Sequence, residues 1–382
     1  MTRIDCLQFS SKVDQPSQYG VLPYFTKKFH EALLELGIDS RLWVVNKDEP
    51  KDFFKELQED PPLCTLSFNY CIKGEKGIPH VNVLVDAPYY FFDQMSLENI
   101  IWTCTDRIDA GIYGKLGFDN IFFLPHATEK IDLSSDKKKY DVVMLASNID
   151  YEEIRKQWDE QYSDGLLEVM LNSVAMMQKS PALPSYQAFV DALDAYQLNG
   201  GGIGEISLTH IFHQIDLYIR GLDRVELVRS IKNARVDIFG SAKNGIGWKK
   251  YINQPNVIIH EDIPFTEALE VMKQSRVVLN SCPTIRDGAH ERVFTALAGG
   301  ALVVSSESRY LREQFPPGSI IYYEGSAKAH IGPLIDDYLS NPRERASSLE
   351  IARQIVLQNH TWEQRAKQLV VELVPILEKM KK

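Results

Sequence analysis

The sequence predicts an α/β chain in two halves, each built on a parallel sheet, facing one another across a cleft. Three features predict it. Short apolar runs alternate with helical periodicity through the first 130 residues. A polar, charged stretch, HATEKIDLSSDKKKY (126–140), then interrupts them, and the alternation resumes only after a long helical run. At 382 residues the chain also exceeds what one core ordinarily supports, which favours two domains.

In chain order, Ile4–Phe9 is an apolar run closed by the polar loop SSKVDQPSQYG (10–20). Phe25, Phe29, Ala32, Leu33 and Leu36 recur at helical spacing over Pro23–Leu36, and Gly37 is a suitable helix stop. Arg41–Val45, Leu63–Phe68, Val81–Val85, Ile100–Cys104 and Ile121–Leu124 read as strands, with helices over Asp52–Gln58 and Arg107–Leu116. Tyr140–Ala146 opens the second half. Residues 151–233 read as a helical insertion, broken at SPALPS (180–185) and NGGGIGE (199–205). Strands follow at Val236–Gly240, Val257–His260, Val277–Asn280, Ala301–Ser305 and Ile320–Tyr323. The chain closes with helices over 328–339 and 342–380, the second broken near His360. The expected domains are 1–130, 131–360 with the insertion 151–233, and a terminal helix 361–382 crossing back to the first.

Charge and cysteine usage narrow the function. The net charge is −10, and residues 1–130 hold 13 basic against 19 acidic side chains, a balance of −6. Nucleic acid requires a basic stripe, so it is not an expected partner. The five cysteines (6, 64, 71, 104 and 282) form no CxxC and no disulfide framework, which suits a reducing compartment. No apolar run is long enough for a signal peptide or a membrane span, so the expected location is cytoplasmic, with no transmembrane segment.

Residues 277–304, VVLNSCPTIRDGAHERVFTALAGGALVV, carry the chemistry. They read as a buried strand, a loop, a helix beginning near Ala289 and ending at Gly299-Gly300, and another strand. The first amides of such a helix lack intrahelical partners, and its dipole favours negative charge, so it can hold a diphosphate. Gly288 lets the backbone approach a ligand. Arg292 opposes the dipole, which an anion in contact with it explains. His290 and Glu291 can bond sugar hydroxyls. A salt-bridged surface loop is the competing reading. A His-Glu-x-x-His zinc site is excluded because position 294 is Phe.

DGAHERVFTALAGGALVVS (287–305) resembles the donor-binding motif of the CgeB-like (spore maturation protein) glycosyltransferases, which have the GT-B fold of two Rossmann-like domains. VDAP (85–88), DRIDAGIYGKLGFDNIFFLPHA (106–127), YDVVMLAS (140–147), RVELVRSIKNARVDIFG (224–240), HEDIPFTEALEVMKQSRVVLN (260–280) and HTWEQRA (360–366) resemble other parts of that group in the same order. The resemblance covers most of residues 80–370 and is specific at 287–301. It implies metal-independent transfer of a sugar from a nucleotide diphosphate sugar, used as co-substrate with no further cofactor. The acceptor is a glycan, a protein or a small molecule. It also implies two acidic residues eight apart around the donor loop, which here map onto Asp287, near the sugar, and Thr295, at the ribose. Thr295 departs from that pattern and offers only a hydroxyl.

By the same resemblance Gly240 and Ser241 lie close to the donor, and the backbone near Ile263 meets the nucleobase. Each also reads as ordinary loop. Lys243 and Lys250 read as phosphate ligands or solvated lysines, and Arg224 as a diphosphate ligand or a carboxylate partner. Asp86, at a strand's carboxyl end, reads as the general base for an inverting transfer or as a loop cap. His126 reads as a sugar contact or proton carrier, or as hinge packing. Tyr19-Gly20 is placed like the loop that separates donor from acceptor. Two further readings stand beside transfer: a nucleotide-sugar epimerase or hydrolase, and a catalytically silent nucleotide-sugar-binding protein.

Overall fold

The computed structural model describes residues 3–10, 18–46, 51–70, 77–133, 138–180, 183–240, 247–325 and 327–380. The chain divides into two compact units, residues 1–130 with 357–382, and residues 131–356.

Unit 1 is a six-stranded parallel sheet in the order β2-β1-β3-β4-β5-β6. Its strands are β1 (Ile4–Ser10), β2 (Leu42–Asn46), β3 (Cys64–Phe68), β4 (His80–Val83), β5 (Ile100–Cys104) and β6 (Ile121–Phe123). Every residue of β3, β4 and β5 is buried, as a parallel sheet covered on both faces requires. The helices are α1 (Val21–Glu35), α2 (Lys51–Glu59) and α3 (Arg107–Lys115), the last capped by Asp106, which accepts from the Ile108 amide. A 3-10 helix over Pro88–Gln94, absent from the sequence reading, opens with proline at its start.

The terminal segment of the chain belongs to this unit. The Thr128 amide donates to the His360 carbonyl and the Trp362 amide to the Thr128 carbonyl, both at 3.0 Å. These bonds anchor α13 (Trp362–Met380), which packs on α1. Its first residue, Trp362, sits 4.9 Å from the Phe25 ring and 6.2 Å from Phe68. The helical break expected near His360 separates α12 (Ala346–Asn359) from α13.

Unit 2 has a second six-stranded parallel sheet, in the order β12-β11-β10-β7-β8-β9. The strands are β7 (Tyr140–Leu145), β8 (Val236–Phe239), β9 (Val257–His260), β10 (Ser275–Asn280), β11 (Leu302–Ser306) and β12 (Ile320–Tyr323). The insertion is α4 (Tyr151–Gln161), α5 (Asp164–Lys179), α6 (Ser185–Leu198) and α7 (Leu208–Arg229). It packs through its own apolar faces, with Trp158, Val169, Phe189 and Ile215 all fully enclosed. The remaining helices are α8 (Phe265–Lys273), α9 (Glu291–Ala298), α10 (Arg309–Gln314) and α11 (Ile331–Ser340).

Candidate functional site

The strand order of unit 2 reverses between β7 and β10, since β8 and β9 continue on one side and β11 and β12 on the other. Open parallel sheets bind ligands outside the carboxyl ends of their strands at such a reversal. Two loops emerge there, residues 146–150 after β7 and 281–290 after β10.

The first loop is held by its backbone. The Trp248 indole donates to the Ala146 carbonyl at 3.0 Å, and Nη1 of Arg224, on α7, donates to the Ser147 carbonyl at 2.7 Å. Gly240 packs so tightly that a Cβ there would stand 2.2 Å from the Ala146 oxygen. Asp150 then caps α4 through the Glu153 amide, and takes Lys250 Nζ at 2.8 and 3.1 Å and the Tyr251 hydroxyl. Lys250 also lies 3.4 Å from Glu152. The lysine therefore serves this loop's own carboxylates, which corrects the reading of Lys250 as a phosphate ligand or a solvated side chain.

The second loop is tied down at both ends. Ser281 Oγ donates to Asp223 Oδ2 at 2.5 Å, and Asp223 also accepts the Tyr323 hydroxyl at 2.7 Å and pairs with Lys328 at 3.0 Å. At the other end, buried Asp287 pairs with Arg309 Nη2 at 2.5 Å, and the Gly288 carbonyl accepts from Ser308 Oγ at 2.7 Å. The helix begins two residues later than the sequence suggests. His290 is extended (φ −80°, ψ 147°) and caps α9, so Glu291 is its first residue. His290 Nδ1 lies 2.6 Å from Glu291 Oε2 but 3.4 Å from the Arg292 amide. One nitrogen cannot serve both, and the shorter contact puts its proton toward the carboxylate.

Positive charge collects between the loops. Arg224 is buried, and burial together with nearby Arg220 and Arg292 pushes its guanidinium down to about 9. None of the described carboxylates forms an ion pair with it, although Asp223 lies within electrostatic range. Arg292, half-buried, donates to Asn280 Oδ1 at 3.1 Å. The same three arginines and Glu291 act on the Cys282 thiol, which burial pushes up to about 11. Asn148, in the first loop, is 1% exposed, and among the described residues neither its Oδ1 nor its Nδ2 has a partner; the same holds for Arg224 Nε. Buried amides are rarely left so, because each unmade bond costs about 1–3 kcal/mol. Guanidiniums near a helix start, beside an amide with no partner among the described residues, are groups able to hold an anion.

Of the residues singled out in the sequence, Gly240, Asp287, Gly288, Ala289, His290, Glu291 and Arg292 lie on these loops or abut them. Thr295 is 1% exposed, on the second turn of α9. Ile263 is half-buried between β9 and α8, beyond the His260 ring that stacks on Phe239 at 4.3 Å. Ser241 and Lys243 lie outside the described residues. In unit 1, Asp86 is exposed and accepts from Asn69 Nδ2 at 2.6 Å. His126 is buried edge-on to Phe25 at 6.0 Å, and its carbonyl accepts from Arg365 at 3.0 and 3.2 Å. Tyr19 and Gly20 are both left-handed, at φ 71° and 74°, where α1 begins. Asn148 and Arg220 escaped the sequence reading. The signal available for Asn148 was its place just after a strand that borders the reversal. Arg220 carries only its i,i+4 spacing from Arg224.

Among the described residues no group of three or more potential metal ligands assembles, and no helix is long and apolar enough to cross a membrane. Residues 224–371 match a family model described as "Glycosyl transferase-like". No curated protein matches the sequence. Several solved structures share the fold. Sucrose-phosphate synthase from Thermosynechococcus elongatus superimposes with a TM-score of 0.58 at 11% identity, covering 99% of this chain and 100% of that one. AviGT4, a glycosyltransferase involved in avilamycin A biosynthesis, gives 0.55 at 11%, covering 99% of each chain. Anabaena HepE, in complex with UDP-glucose, gives 0.55 at 9%, covering 98% of this chain and 100% of that one. The chain thus has the two-domain α/β fold of GT-B glycosyltransferase structures.

Proposed function

We propose that the chain is a glycosyltransferase that moves a sugar from a nucleoside diphosphate sugar to an acceptor hydroxyl. The observation that carries this reading is buried Arg224 close to Arg292 at the start of α9, beside an Asn148 amide that has no partner among the described residues. A diphosphate would accept from Arg224 Nε and Asn148 Nδ2, which have no hydrogen-bond partner among the described residues. The match over residues 224–371 and the UDP-glucose in the HepE structure support the same donor class.

In the proposed reaction the acceptor oxygen attacks the anomeric carbon. The bond from that carbon to the diphosphate breaks, and its electron pair leaves with the nucleotide. The arginines and the α9 amides offset the charge growing on the leaving group, with no metal required. Asp86 takes the acceptor proton if the transfer inverts. Asp287 and Glu291 border the sugar, with the backbone near Ile263 at the base. His126 is proposed as a sugar contact or proton carrier, although its burial against Phe25 favours a packing role. Within the glycosyltransferases, the resemblance of residues 287–305 to the CgeB-like donor motif supports a place in that group. The four described cysteines, all free thiols, suit the cytoplasm.

Calorimetry with UDP, GDP and dTDP tests the site. At least one diphosphate should bind, and Arg224→Ala and Arg292→Ala should each weaken it tenfold or more. Unchanged affinity in both variants would sink the assignment. The burial of Thr295, where the family's pattern has a carboxylate, favours a second reading as a catalytically silent binder. Diphosphate binding without turnover over a broad acceptor panel would select it.

A further inference from the structure

The fold encloses Lys328, a lysine that the proposed reaction does not use. It follows the turn 324–327 after β12, where the Ala327 amide donates to the Glu324 carbonyl at 2.9 Å. Gly325 in that turn is left-handed (φ 45°), and a Cβ there would stand 1.8 Å from the Gln178 carbonyl oxygen of α5. A side chain has no room, so the turn stays pressed on α5 with Lys328 beneath it. The lysine Nζ donates to the Gly325 carbonyl and lies 5.2 Å from the centre of the Tyr323 ring.

The ammonium meets two carboxylates of α7. Glu226 Oε2 is 2.9 Å away, and its side chain is 32% exposed, so water screens it. Asp223 Oδ1 is 3.0 Å away, and its side chain is 6% exposed. Among the described residues Lys328 is the one cation paired with Asp223. Through Oδ2 the same carboxylate accepts from Ser281 Oγ and the Tyr323 hydroxyl, two bonds that favour its charged form. Asp223 also precedes Arg224 in the chain and lies within electrostatic range of its guanidinium. Charges enclosed together are screened far less than charges at a surface. Without Lys328, the Asp223 carboxylate would cancel part of the positive charge that Arg224 offers an anion.

We infer that Lys328 is a positioning residue of the diphosphate site. Its ammonium neutralises Asp223, so that this carboxylate can hold Ser281 and Tyr323 without drawing on the charge of Arg224. The inference rests on the diphosphate reading of that site and names the residue that keeps it cationic.

Calorimetry on the full chain tests it, with whichever of UDP, GDP and dTDP the wild type binds. Lys328→Met should weaken binding at least tenfold. Asp223→Asn still accepts from Ser281 and Tyr323 but carries no charge, so alone it should bind at least as tightly as wild type. Added to Lys328→Met, it should restore affinity to within threefold of wild type. A lysine needed only for packing would allow no such rescue. Unchanged affinity in Lys328→Met would overturn the inference. So would a tenfold loss in Asp223→Asn or in the double variant, and these two decide it even where Lys328→Met alone does not fold. A wild type that binds none of the three diphosphates would sink the donor reading and this inference with it. Wild-type binding that ignores Lys328 would sink this inference alone.

Discussion

Arg224 reaches from the insertion helix α7 to the Ser147 carbonyl at 2.7 Å, so the loop after β7 and the longest helix of unit 2 share one buried guanidinium. Its neighbour Asp223 holds Ser281 at the start of the 281–290 loop. Two consecutive residues therefore tie one helix to both loops at the strand reversal.

This arrangement depends on the fork of the guanidinium and not on charge alone. Lysine cannot hold the Ser147 carbonyl and present a second donor edge at once. Arg224→Lys is expected to weaken diphosphate binding by about 1.5–3 kcal/mol, the span of one charge-assisted bond. Calorimetry beside wild type measures it, and an affinity within twofold of wild type would contradict the geometry.

Gly240 has no room for a side chain. Its Cβ would meet the Ala146 oxygen at 2.2 Å and the Ser147 nitrogen at 2.9 Å, both backbone atoms. Gly240→Ala should destabilise unit 2 by about 1–3 kcal/mol or more and displace the loop carrying Asn148. Urea unfolding reads the first effect and diphosphate affinity the second. A fully stable variant with wild-type affinity would show that the close approach does not exist in solution.

Acid should loosen unit 1 through two buried histidines. His80, enclosed by Thr65, Ser67 and the Tyr70 carbonyl, is held down to about 4 by burial. His360 is held down to about 3 by burial and then by Arg365. Both are neutral in the fold, while the unfolded chain binds protons near 6.5. Their contribution is therefore complete above pH 6.5 and is lost as pH falls toward 4 and then 3. At pH 5 each imidazole should have cost about 2 kcal/mol relative to pH 7.5. Urea midpoints at the two pH values measure this, and a flat profile would refute it.

Trp362 should be the main anchor of the terminal helix. Truncating an enclosed tryptophan costs about 3–5 kcal/mol, and Trp362→Ala also empties the space between Phe25 and Phe68. Limited proteolysis should then cut residues 357–382 faster than in wild type. Equal cutting rates would mean that Arg365 and the Thr128 bonds suffice.

The loop and helix over 281–298 were legible because their signals are local. A proline, the pair Asp287-Gly288 and a helical period over 291–298 are properties of neighbouring residues. The helix start was misplaced by two residues because His290 spends its backbone on an extended cap, which propensity does not reveal. Lys250 and phosphate-binding lysines look alike in sequence. Only the fold brings Asp150, a hundred residues earlier, to its ammonium.

By itself the sequence determined the alternation of strands and helices, the helical insertion, the break at His360 and the motif at 287–305. Each follows from periodicity or turn chemistry over a few residues. The tertiary structure decided what those pieces surround. Arg224 meets the loop after β7 and Asp223 the loop after β10 because α7 runs past the ends of both strands. Asn148 is enclosed by the fold with no partner among the described residues. Asn69 reaches Asp86 because β3 and β4 pair in parallel. Burial and long-range pairing depend on the whole chain at once, so no window of sequence contains them.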